Sequence, residues 1–129
     1  EARLDRESHL GTIWEGTSNI VALDVYRAIR REGALEAYEE HFGRLLEEAV
    51  PESGAALRGR LDSAIALAKE KVANDAQESA REISSLLYHV ASAILFAWEA
   101  RIDGLAHRKA LAQQTDTHRI DPLLHVLGG

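Results

Sequence analysis

Apolar residues recur along this chain at helical spacing in four successive runs. The first spans about Ser18 to Arg31. Ile20, Leu23, Ala28 and Ile29 are apolar, and Val21, Ala22, Val25 and Tyr26 fill most of the remaining surface. A helix apolar on nearly all sides predicts burial among partners. Asp24 and Arg27 interrupt it, spaced to pair along one face, and Gly33 ends it. The second run, Ala34 to Ala49, places Leu35, Tyr38, Phe42, Leu45, Leu46 and Ala49 on one stripe, with its glutamates on a solvated face. Pro51-Glu52-Ser53-Gly54 reads as a turn. A third helix follows from about Ala55 to Ala73 on the stripe Leu57, Leu61, Ala64, Ile65, Ala68 and Val72. Gly59 inside it weakens the helix or admits a close neighbour. Asp75 and Glu78 read as a capping box opening a fourth helix from Ala76 to at least Arg101. Its stripe is Ile83, Leu87, Val90, Ile94, Ala97 and Trp98, widened by Leu86, Ala91, Leu95 and Phe96. Tyr88 and His89, in its apolar middle, are expected to form a hydrogen-bonded core pair.

Beyond Asp103-Gly104 the pattern weakens. Leu105 to Gln113 predicts a helix, the polar stretch Gln114 to Asp121 a loop, and Pro122 to Leu127 one short turn. Four helices joined by short breaks predict an all-α, up-and-down four-helix bundle, because short connections make neighbours antiparallel. The apolar core of the fourth helix is about 16 residues long, between Glu82 and Glu99, short of the roughly 20 a membrane span needs. The 129 residues include no cysteine, which removes disulfides and thiolate metal sites. They include no methionine either, which predicts a piece of a longer chain. The net charge of −6 argues against broad contact with a phosphate backbone, so DNA is not an expected partner. His107, His118 and His125 lack metal-ligand spacing, and no metal is expected.

The chemistry concentrates upstream of the first helix, in Ile13-Trp14-Glu15-Gly16-Thr17-Ser18-Asn19. An acid stands between a large aromatic residue and a glycine, and a polar trio leads into the helix. Gly16 gives backbone freedom and lets another molecule come close. Thr17 or Ser18 can cap the helix, whose first amides are open to an anion or to the polar edge of a cofactor. With its flanks, from Arg6-Glu7-Ser8-His9-Leu10-Gly11 to Ile29, the stretch resembles the signature near the C-terminus of acyl-CoA dehydrogenases. The roughly one hundred residues after it resemble the appended helical domain of the larger branches of that family. Trp14 to Asn19 followed by Ala22-Leu23-Asp24-Val25 is closest to the alkylation-response (AidB-like) flavoproteins.

The resemblance implies an FAD-dependent oxidation of an acyl-CoA to a trans-2-enoyl-CoA. Glu15 occupies the position of the base that removes the α-proton. Gly16 and Trp14 lie where the family holds the thioester, and Thr17, Ser18 and Asn19 where it holds FAD. Trp14 stands in place of the usual Tyr, and Asn19 in place of the usual Gln. A thioester α-proton is weakly acidic, so its base must lie within hydrogen-bond reach in a dry site. Burial of Glu15 beside Trp14 and a flavin ring would raise its pKa towards that task. The resemblance makes residues 1–129 a single C-terminal helical domain, with 1–19 the motif segment and 20–129 the bundle. Its implied partners are the upstream domains of the same chain, further copies of itself and an electron-transfer flavoprotein as acceptor, in the cytoplasm. The isolated piece is expected to be inactive. A second reading is a helical interaction module that mediates oligomerisation or nucleic-acid contact.

Overall fold

The computed structural model describes residues 27–29, 33–49, 51–102 and 104–128, without the side chains of residues 51 and 52. The described residues are helical and contain no strand. Residues 27–29 are helical, and Ile29 packs against the core. Five helices follow: α1 (Ala34–Glu48), α2 (Pro51–Ala73), α3 (Ala80–Glu99), α4 (Arg108–Thr115) and α5 (Asp121–Gly128).

Each helix begins and ends for local reasons. Gly33 precedes α1 at φ +63°, a left-handed geometry that glycine adopts without a Cβ penalty. The stretch read as a turn, Pro51 to Gly54, is the first turn of α2. A proline there costs nothing, since the first amides of a helix have no partner within it. α3 starts four residues later than its periodicity predicts. The 3₁₀ turn Gln77–Ser79 precedes it, Asp75 takes φ +52°, and neither Ala76 nor Ser79 makes a side-chain cap bond. The predicted capping residue Asp75 thus lies four residues ahead of the observed N-cap, Ser79.

α3 is the central element and packs against α1, α2, α4 and α5. Its face Ile83, Leu86, Leu87, Val90, Ala93, Ile94 and Ala97 is buried. Leu57, Leu61, Ala64, Ile65 and Ala68 of α2 meet it, in agreement with the predicted stripe. Contacts between named residues give the directions. Tyr38 lies at Leu87 and Glu48 at Trp98, so α1 runs parallel to α3. Gly54 lies at Leu46 and Gly43 at Arg58, so α2 runs antiparallel to α1. Arg108 meets Glu99, and Arg119 lies close enough for its charge to act on His89, so the C-terminal arm runs antiparallel to α3.

Three further expectations are corrected. The segment Gln114–Asp121 is no loop: α4 passes through a π turn, Asp116–Ile120, straight into α5. Ile120 is fully buried, and Arg60 of α2 holds Asp116 at 2.7 Å and Asp121 at 3.1 Å. The wider turn lies directly before Pro122, where a regular ladder would lack a donor and meet the ring. Tyr88 and His89 are no core pair. Their rings meet edge to face at 5.2 Å, but Tyr88 is 68% exposed. Gly59 admits no neighbour, because an added Cβ would meet nothing within 4 Å. Gly59→Ala is therefore expected to raise stability by about 0.5–1 kcal/mol through helix propensity alone. Urea unfolding of the two proteins measures it, and a loss of stability would show that the site is covered.

Candidate functional site

All six residues singled out by the sequence, Trp14, Glu15, Gly16, Thr17, Ser18 and Asn19, lie outside the described residues. The predicted first helix also lies outside them, apart from residues 27–29. What the structure supplies is the scaffold downstream of the motif and the chemistry of its ends.

One end gathers the C-termini of α1 and α3 with the N-termini of α2 and α4. There the indole Nε1 of Trp98 donates to Glu48 Oε2 at 2.6 Å, and the Arg101 guanidinium stacks 4.0 Å above the Trp98 ring. Arg108 Nη1 donates to Glu99 Oε1 at 3.3 Å and ties the arm to α3. These groups are partly open to water, where cation–π and ion-pair contacts each contribute about 0.5–1 kcal/mol. They orient the helix ends more than they stabilise the fold.

Between α2 and α4 at that end lies a cavity of about 100 Å³, lined by Ser53, Ala56, Leu57, Lys109, Gln113 and Asp116 among others. Cofactor and substrate pockets run to roughly 300–1,000 Å³, so this cavity fits neither FAD nor an acyl-CoA. A larger open groove of about 370 Å³ crosses α1 and α2. Glu36, Glu39, Glu40 and Glu47 line it with Arg44 and Arg58, and Arg44 pairs with Glu40. Its acidic excess opposes the phosphates of FAD or CoA. The predicted solvated acidic face is the reading that fits it. Among the described residues no group of His, Asp or Glu is placed to hold a metal, and no helix is long and apolar enough to cross a membrane.

Two titratable side chains sit in perturbed surroundings. The Tyr38 hydroxyl donates to Leu87 O at 2.6 Å, and burial pushes its pKa well above the ordinary 10.0. It is a brace between α1 and α3, held neutral. The His89 imidazole has its pKa lowered from 6.5 by burial and then by the charge of Arg119. The folded state thus takes up a proton less readily than the unfolded chain. Stability should fall as pH drops through 6.5 towards the lower folded-state value, and should be free of this penalty above it. His89→Gln is expected to flatten that part of the profile. The check is urea unfolding from about pH 5 to about pH 8, spanning the histidine range; an unchanged slope would refute it.

The Arg60–Asp116–Asp121 brace was invisible in the sequence, because its members lie far apart in the chain and carry no periodicity. A weak signal was present: Asp116 and Asp121 flank one buried isoleucine, an odd composition for a free loop. Comparison of the chain with family models, with curated proteins and with solved structures found no match.

Proposed function

We propose that this chain is the C-terminal helical domain of an FAD-dependent acyl-CoA dehydrogenase, most similar to the alkylation-response branch. In this reading residues 1–19 carry the motif, and residues 20–129 form an up-and-down four-helix bundle behind it. The single observation that carries the proposal is the run Ile13-Trp14-Glu15-Gly16-Thr17-Ser18-Asn19 inside its flanks from Arg6 to Ile29. Two features support the bundle: the alternating directions of α1, α2, α3 and the arm, and the core shared along α3.

Glu15 would take the α-proton of the thioester, with Gly16 and Trp14 at the acyl group and Thr17, Ser18 and Asn19 at the cofactor. The flavin, when bound, accepts the β-hydrogen as hydride; the protein's share is position and electrostatics. Neither the 100 Å³ cavity nor the acidic 370 Å³ groove suits FAD or an acyl-CoA, so in this reading the site is completed by upstream domains of the same chain or by other copies. An electron-transfer flavoprotein would reoxidise the flavin, and the setting would be cytoplasmic. The alternative, an interaction module touching DNA, is opposed by the net charge of −6.

The test is the full-length protein loaded with FAD and titrated without oxygen with a panel of acyl-CoA thioesters. Loss of the flavin's visible absorbance with at least one of them, and an enoyl-CoA product, is the expected result. A flavin left oxidised by every thioester would overturn the dehydrogenase reading.

A further inference from the structure

The outward face of α3 carries a repeat of its own. Arg81, Tyr88, Leu95 and, in the turn just beyond the helix, Ile102 follow one another every seven residues, and all four are exposed. Ser85, Ser92 and Glu99 fall between them in alternating steps of four and three, and are half-buried. That alternation is the spacing of a seam between two helices. The first row is mostly large and apolar: Tyr88 is 68% exposed, Leu95 39% and Ile102 39%. The second row is small apart from Glu99. The Ser92 hydroxyl donates to Tyr88 O at 2.9 Å, so it needs no partner from outside the helix. The buried residues Ile83, Val90 and Ala97 belong to the opposite face, so this seam is no part of the core already described.

We infer that the seam pairs α3 with α3 of a second copy of this chain, antiparallel, about a two-fold axis level with Val90. The argument is complementarity of size and of charge. With the axis there, Tyr88 stands opposite Ser92 of the second copy, Leu95 opposite Ser85, and Arg81 opposite Glu99. The two-fold repeats each of these contacts, because in a self-complementary interface the same patch serves both sides. Each large side chain meets a small one, which lets the backbones approach and the two rows interlock. Each cation meets an acid. Glu99 is also held by Arg108 at 3.3 Å, which fixes its carboxylate at the edge of the seam.

Other arrangements of the same two faces lose these matches. A parallel pair sets Arg81 on Arg81, Glu99 on Glu99 and Tyr88 on Tyr88, so that like charges and like bulk oppose each other. Sliding the antiparallel pair by one heptad in either direction takes Arg81 away from Glu99. From Arg81 to Glu99 the seam is about 27 Å long and one helix wide. That places it at or below the lower end of the roughly 1,200–2,000 Å² of a stable complex, so the pairing is reversible. Its ion pairs choose the direction more than they add affinity. This inference concerns packing alone; it is read without flavin or thioester, and its failure would leave the dehydrogenase reading untouched.

The first experiment is sedimentation velocity of the 129-residue chain. Across about 5 to 500 µM the sedimenting mass should rise from that of one chain towards that of two. Tyr88→Lys, at a site exposed enough to leave the fold intact, should weaken association about tenfold or more, since it sets a second cation row on the seam. Val126→Lys, at a site 69% exposed on α5, should leave it as it is. The second experiment uses the natural absence of cysteine to read direction. Ser85→Cys and Leu95→Cys chains are oxidised mildly, alone and mixed. The mixture should give a disulfide between the two different chains, which needs Cα atoms about 4.4–6.8 Å apart. Each variant alone should stay reduced, because its two thiols lie ten residues out of step, about 15 Å along the helices. A chain that stays single at every concentration would overturn the inference, as it would if another segment of the same chain covered the seam. Association untouched by Tyr88→Lys, or disulfides forming within each variant in preference to the mixture, would overturn it as well.

Discussion

Under the proposed dehydrogenase function, Glu15→Gln in the full-length protein loaded with FAD is expected to slow reduction of the flavin by acyl-CoA about 10²–10⁴-fold, the usual contribution of a positioned base. The amide keeps the volume and the hydrogen-bonding reach of the acid, so thioester binding and FAD content should change little. It cannot accept the α-proton, and the loss should therefore appear in the single-turnover rate of flavin bleaching and leave the concentration dependence nearly intact. A second variant separates base from scaffold: Glu15→Asp keeps the carboxylate but withdraws it by one methylene. It should retain more activity than the amide, with a rate limited by distance. A bleaching rate unchanged in Glu15→Gln would remove the acid from the chemistry. The role of base would then pass to another residue.

Ile120→Ala is expected to cost about 2–5 kcal/mol, the range for truncating a buried branched side chain. Ile120 is fully buried although its neighbours His118, Arg119 and Pro122 are exposed. It is the knob by which the π turn is fixed on α3. Collapse around the missing atoms is hindered from two sides, by the rigid core of α3 and by the hold of Arg60 on Asp116 and Asp121. His118→Ala on the same turn removes an exposed side chain and should stay within about 0.5 kcal/mol. Urea unfolding of the two variants gives the contrast. An Ile120→Ala protein as stable as His118→Ala would mean that the segment behaves as the loop its polarity suggests.

The contrast between α2 and the arm shows how much of the fold was legible. Leu57, Leu61, Ala64, Ile65 and Ala68 announce their helix because they all fall on one face at helical spacing, and each of these residues is buried. The same repetition made α3 readable from Ile83 to Ala97. Gln114 to Asp121 carries one isoleucine among polar residues, and no local pattern can outvote that composition. Its helical state comes from a guanidinium on another helix and from a pocket on α3. Tyr88 misled for the opposite reason. It sits beside a buried row, and periodicity cannot tell the inner edge of a helix from its outer one when both are apolar. The candidate site was legible only as residue types in order: an acid, a glycine and hydroxyls ahead of a predicted helix. That order names a chemistry, but the walls that would dry and aim Glu15 belong to contacts that no local run of residues contains.

Sequence alone determined that the described residues are helical, where most of their core faces lie, and that the one chemically suggestive stretch lies upstream of them. These follow from the 3.6-residue period and from the backbone freedom of single residues, both local properties. Tertiary structure alone decided that α3 is the centre, that α1 runs parallel to it, that the C-terminal arm continues through a π turn, and that a row of apolar side chains on α3 faces outward. Each of these depends on which distant surfaces meet, and the free energy of burial is settled by the partner as much as by the residue.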